Sequence, residues 1–251
     1  KKFISGNQCE KGLGKATAGE QLPNLYEFKR NYLTSLKSEE GARGTVGMPL
    51  ALGMYELLPL WHAVFTKLGF NVKVSPMSTR RIYEKGQFSI PSDTACYPAK
   101  IMHGHIETLI TDGVDAIFYP CLTYNMDEKM TDNHYNCPVV AYYSELLNGN
   151  VEELKRVKFL YPYLNINSKK ELTKELYTYL GKFYNGITKS EVRAAVEYGL
   201  TRYAEYMKAV RGEGARGPKI ARGNNKRIMI LAGRPPHKNE GKRQGIDKIA
   251  K

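Results

Sequence analysis

The chain has 251 residues, 42% of them apolar, and a formal net charge of +13. Its length accommodates one large domain or two smaller ones, and no apolar run reaches the roughly 18 residues a membrane-spanning helix needs. Four cysteines (Cys9, Cys96, Cys121 and Cys137) and no apolar signal-peptide core at the start argue against an exported disulfide framework and for a cytoplasmic setting.

The charge is uneven. Residues 211–251 carry 12 Lys/Arg against 3 Asp/Glu, which leaves a surplus of only 4 for the rest of the chain. A basic tail invites a nucleic-acid reading. No recognition-helix, zinc-finger or RNA-binding signature accompanies it, so nucleic acid is disfavoured and a solvated linker or a surface facing an acidic partner is preferred.

In chain order, residues 1–43 read as an N-terminal cysteine-bearing segment. F-I-S-G-N-Q-C-E-K-G leads into a turn carrying Cys9, and a helix is predicted over Tyr26–Leu36. Gly41-Ala42-Arg43-Gly44 marks a boundary. Thr45–Met48 reads as a strand. The apolar periodicity from Leu52 to Leu68 predicts a helix kinked at Pro59 and stopped by Gly69, and Phe70–Val74 reads as the next strand. Strand, helix and strand at this spacing imply a parallel βαβ unit. A short helix near Thr79–Lys85 follows. Pro98 then suits the first turn of a helix whose apolar stripe is Ile101, Met102, His105, Ile106 and Leu109. Asp112-Gly113 closes it and Ala116–Tyr119 reads as a strand. A polar loop of 15 residues separates Cys121 from Cys137, and Pro138–Tyr142 reads as a further strand. Lys158–Leu164 is another strand, broken by Pro162; Leu172–Phe183 and Ser190–Val210 are helices. Arg211–Asn225 reads as a Gly/Arg-rich linker, followed by a strand at Arg227–Ala232 and a helix from near Gly245. The expected organisation is an α/β domain over 44–165, a helical segment over 166–212, and over 213–251 a basic linker with the first βα unit of a second α/β domain. The fold class is α/β, a doubly wound, mostly parallel sheet. Without an initiator Met, and ending inside a unit, the chain reads as a piece of a longer polypeptide.

The cysteines all fall at element edges: after a Gly-Asn turn, before a Pro-started helix, after a strand and at the close of a polar loop. A helix N-terminus favours thiolate, and ligands in open α/β sheets gather at the carboxyl ends of strands. The spacing lacks any C-x-x-C pair, so placement leaves two readings open, a shared metal or cluster site and inert thiols. His103 and His105 flank Gly104 at a spacing that points them apart, which suits packing or hydrogen bonding better than a zinc pair. His62 reads as core, and His134 in the polar loop is able to approach the same edge. Asp93, Glu107, Asp112 and Asp115 form no acid–base pair, and phosphate-cradling loops are absent, Gly6, Gly12 and Gly14 being loop glycines.

F-I-S-G-N-Q-C-E-K-G, G-M-P-L-A-L-G-M-Y-E-L-L-P-L-W, S-D-T-A-C-Y-P-A-K-I-M-H-G-H, Y-N-C-P-V-V-A-Y-Y and I-L-A-G-R-P together resemble one module of the acyl-CoA (2-hydroxyglutaryl-CoA) dehydratase activase-related family of large bacterial proteins. The module is similar to iron–sulfur dehydratase subunits and double-cubane cluster proteins. The resemblance covers most of residues 1–210. It implies an iron–sulfur cluster, [4Fe–4S] or double-cubane, held by Cys9, Cys96, Cys121 and Cys137 and used for low-potential one-electron transfer. Tyr97, Thr123, Tyr124, Asn125 and Asn136 are the residues expected around it. It further implies an ATPase activator as partner, an acyl-CoA or other small-molecule substrate, and a homodimer. Two departures stand out. Pro236-His237-Lys238-Asn239 follow G-R-P where the family has an aromatic residue, His and acidic residues. No ATPase motif is present, so this chain is not expected to turn over ATP. The alternative from a different class is a non-catalytic interaction domain with a structural zinc or no metal.

Overall fold

The computed structural model describes residues 23–38, 40–129, 132–223 and 225. Cys9, His237 and the expected strand and helix after residue 226 lie outside the described residues.

The first helix, α1 (Leu25–Ser35), starts at Asn24, whose side chain accepts a hydrogen bond from the Glu27 N–H. The βαβ unit is as expected: β1 (Thr45–Met48), α2 (Leu52–Lys67) and β2 (Asn71–Val74). The α2 helix runs through Pro59 and is buried along most of its length, since its residues from Leu57 to Phe65 are apolar or aromatic apart from His62. Gly69 turns the chain with φ +82°, a conformation that favours glycine. Next come α3 (Arg80–Gly86), α4 (Tyr97–Thr111) and β3 (Ala116–Phe118).

The segment expected as a strand at Pro138–Tyr142 is instead the start of α5 (Pro138–Asn150). Val139, Val140, Tyr142 and Tyr143 give it β-like composition, but Pro138 occupies the first helical turn, and Ala141, Ser144 and Leu147 recur at helical spacing as buried residues. Topology requires the helix, because β3 and β4 (Lys158–Leu160) are parallel neighbours and need a crossover between them. Two helices follow, α6 (Lys169–Leu180) and α7 (Lys189–Gly223). The stretch expected as a linker from Arg211 is helical as far as Gly223. Its glycines and Pro218 are carried inside a helix of 35 residues that lies along α2 and packs on α1 and α6.

All four strands are parallel, in the order β2-β1-β3-β4. The chain steps from β1 to one side and later returns to β3 on the other, so the sheet is doubly wound. The α2 helix, with α7 laid over it, covers one face, while α4 packs on α3 and α5. Right-handed crossovers put α4 and α5 on the face opposite α2. The core is aromatic where α2 meets β3: Phe118 lies 5.0 Å from Trp61 and 4.6 Å from Phe65, ring centre to ring centre. No helix among the described residues is long and apolar enough to cross a membrane.

Candidate functional site

In a doubly wound sheet the chain ends of the two central strands diverge to opposite faces and leave a crevice beyond their carboxyl ends. Here the switch lies between β1 and β3. The crevice has the first turns of α2 (Gly53, Met54, Leu57) on one side. On the other lie the segment after β3 (Tyr119, Pro120, Leu122), Asn125 and Asn136 from the polar loop, and Val140 of α5. Gly53 permits the close approach of these walls, since a Cβ there would lie 3.2 Å from Val140. Leu52, which opens α2 at the crevice, has φ +47°, a strained setting for a bulky residue.

Three cysteines reach this edge. Cys96 and Cys137 are the N-cap residues of α4 and α5, with the same backbone conformation (φ −63°, ψ 151°) and a proline in the following turn. Both are exposed, and neither side chain bonds the helix N–H groups it precedes. The α2 helix likewise starts without a side-chain cap, whereas α1, α3 and α6 are capped by Asn24, Thr79 and Ser168. Uncapped helix starts leave N–H donors and positive potential for an anionic group.

Cys121 is buried. Its N–H donates to the Pro162 carbonyl at 2.9 Å and its carbonyl accepts from Leu164 N at 3.1 Å, so it continues the parallel pairing beyond β3 and β4. Its sulfur lies 2.9 Å from the Ser144 hydroxyl. Burial pushes the Cys121 thiol up, while the Ser144 hydroxyl beside it pulls the other way; the Tyr163 hydroxyl donates to Glu145 Oε1 at 2.5 Å. Tyr119, two residues earlier, is 2% exposed and its hydroxyl has no hydrogen-bond partner among the described residues. Burial raises its phenol well above the ordinary value, and the thiols of Cys121, Cys137 and Cys96, together with Tyr143, add to that rise. One phenol thus lies within electrostatic reach of all three sulfurs.

The other expected residues are distributed unevenly. Asn125 and Asn136 line the crevice. Asn136 pins the loop, donating from Nδ2 to the Leu122 carbonyl at 2.9 Å and from its N–H to the Thr123 carbonyl at 2.9 Å. Tyr97 stacks on Tyr83, Thr123 bonds the Tyr142 hydroxyl at 3.0 Å, and the Tyr124 hydroxyl donates to Tyr135 at 3.0 Å. These three are engaged with neighbouring tyrosines. His103 and His105 are hydrogen-bonded inside the protein, His103 to Ser89 and Tyr143 and His105 to Ser75 and Ser78. His62 is buried in α2.

Among the described residues, no three His, Cys, Asp or Glu side chains meet as a group able to hold a metal ion.

Sequence reasoning missed Tyr119, Ser144 and Tyr163. Tyr119 reads as the end of an apolar strand, and the signal that sets it apart, a hydroxyl without a partner, exists only in three dimensions. Ser144 lies just beyond the Pro138–Tyr142 segment read as a strand; helical spacing from Ala141 would have placed it on the buried face.

The model of one protein family, the CoA enzyme activase uncharacterised domain (DUF2229), matches residues 45–250. No curated protein and no solved structure shows significant similarity to the chain.

Proposed function

The chain belongs to the CoA enzyme activase uncharacterised domain family, and from that premise we propose that it is an iron–sulfur cluster-binding module for low-potential one-electron transfer in a 2-hydroxyacyl-CoA dehydratase activase-type system. The observation that carries this reading is the delivery of Cys96, Cys121 and Cys137, remote in sequence, to one sheet edge around Tyr119. Cys9 is the proposed fourth ligand and lies outside the described residues.

The residues present suit an anionic sulfur-rich group in two respects. Two of the thiols begin helices whose first N–H groups have no side-chain acceptor. The buried Tyr119 hydroxyl at the same edge has no hydrogen-bond partner among the described residues. When bound, such a cluster supplies a one-electron couple whose potential follows from its charge, its burial and the hydrogen bonds to its sulfurs. The chain's own part is to supply thiolates, to set the Ser144 hydroxyl against Cys121, and to hold the polar loop through Asn136. The exposed side of the same edge, with Cys96 and Cys137, is where an ATPase activator and an acyl-CoA or other small substrate would approach.

Anaerobic reconstitution with iron and sulfide tests the proposal. Brown protein with stoichiometric iron and acid-labile sulfide, and loss of both in Cys96→Ser, Cys121→Ser or Cys137→Ser, is the expected result. Colourless protein whose thiols all titrate freely would overturn it. A second reading, a non-catalytic interaction domain with a structural zinc or no metal, draws on the lack of a three-ligand group among the described residues. Zinc without sulfide in the purified protein would select it.

A further inference from the structure

Seven buried side-chain nitrogen or oxygen atoms lack a hydrogen-bond partner among the described residues. Five of them, on Tyr55, Trp61, His62, Thr66 and Tyr206, belong to α2 and α7 on the far face of the sheet. Only Tyr119 and His134 lie on the thiol side. His134 sits in the polar loop, whereas Tyr119 is held by the backbone: its N–H donates to the Leu160 carbonyl at 2.9 Å, which extends the β3–β4 ladder by one residue. That bond fixes where the ring leaves the sheet, so the hydroxyl cannot escape to water by a small loop movement. Buried hydroxyls are almost always paired, and one left unpaired calls for an explanation such as an absent ligand. Tyr119 and Cys121 pair with the next strand two residues apart and so share a face of the sheet, and α4 and α5 start at the same edge with Cys96 and Cys137.

We infer that the Tyr119 hydroxyl is a hydrogen-bond donor to a sulfur of the bound cluster, a thiolate or a sulfide, and that it raises the cluster's reduction potential. The inference rests on the cluster reading above. The direction follows from charge. A donor aimed at sulfur stabilises the more negative, reduced state more than the oxidised one, and hydrogen bonds to the sulfurs are among the levers that set cluster potentials. Its neighbours keep it a donor. Tyr143, on the α5 helix over the same face, gives its own hydroxyl to His103 at 3.0 Å and does not compete for the same sulfur.

The experiment compares wild type with Tyr119→Phe, each as apo protein and after anaerobic reconstitution. Tyr119→Phe is expected to take up as much iron as wild type and to have a reduction equilibrium about tenfold less favourable, which for one electron is a shift of about 59 mV to more negative potential. Its apo form is expected to melt no lower than wild type, because a hydroxyl without a partner takes no bond with it. Replacing Tyr119 with 3-fluorotyrosine keeps the ring and strengthens the donor, and should shift the potential the opposite way. An unchanged potential in both variants, or an apo Tyr119→Phe that melts several degrees lower, overturns the assignment while leaving the cluster reading intact. Wild-type protein that takes up no iron overturns both.

Discussion

Ser89 donates its hydroxyl to the Gly86 carbonyl at 3.1 Å, which leaves its oxygen to accept from His103 Nδ1 at 2.9 Å. Nε2 of His103 is then the acceptor of the Tyr143 hydroxyl, and the histidine is fixed as a neutral tautomer between two elements. His105 is buried with Ser75 and Ser78 on either side. His62 is buried, and its Nε2 has no partner among the described residues. Burial lowers all three, His62 and His103 to about 4 and His105 to about 3, from an ordinary value of 6.5. Between pH 6.5 and about 4 the unfolded chain therefore binds more protons than the folded one. Stability should be full above that window and decline as the pH falls through it, by about 1.4 kcal/mol per pH unit for each histidine. Urea unfolding at pH 7, 6 and 5 reads this, and His62→Leu should remove about a third of the slope. A flat response between pH 7 and 5 would show that these rings are not buried as neutral bases. The sequence indicated a hydrogen-bonding role for His103 and His105 from their spacing alone, because residues two apart on a helix point away from each other. Their partners were not legible, since Ser75, Ser89 and Tyr143 come from three other segments.

The glycine between those histidines governs how α3 meets α4. A Cβ on Gly104 would lie 1.7 Å from the Ile82 carbonyl oxygen, and one on Gly86 would lie 2.1 Å from Gly104 N. Both obstacles are backbone, so no rotamer change relieves them. Gly104→Ala should cost about 3 kcal/mol or more, with the α3–α4 crossing displaced. Gly149→Ala, a helical site with nothing within 4 Å of the new Cβ, should instead stabilise the protein by about 0.5–1 kcal/mol. Thermal melts of the two variants make the comparison; equal effects would show that the α3–α4 approach is not close. At this scale the sequence was most legible where apolar periodicity was long, as in α2 and α4. It failed at α5, where two valines and two tyrosines near the start imitate a strand and the deciding fact, the parallel β3–β4 crossover, is tertiary. It also failed from Arg211 onward. Glycine and proline read as linker there, yet α7 continues, with Arg211 paired to Glu128 at 2.8 Å and Arg216 to Glu213 at 2.9 Å. Those pairs also occupy part of the basic charge that suggested nucleic acid.

Over the whole molecule, strand order creates the site. With β1 and β3 adjacent and their following segments leaving to opposite faces, α2 and the Cys121 loop open a crevice at the carboxyl edge, and the starts of α4 and α5 bring Cys96 and Cys137 to the same rim. Alternating strands and helices foretold a doubly wound sheet. What no local pattern carries is strand order, which decides that the Tyr119 hydroxyl is buried at the carboxyl edge beside β4. Diffraction at the iron absorption edge from crystals of the anaerobically reconstituted protein tests the account most directly. The account predicts iron density at the carboxyl edge between β1 and β3, bonded to Cys96, Cys121 and Cys137 and beside the Tyr119 hydroxyl. Iron bound elsewhere, or none with the three sulfurs still apart, would contradict it.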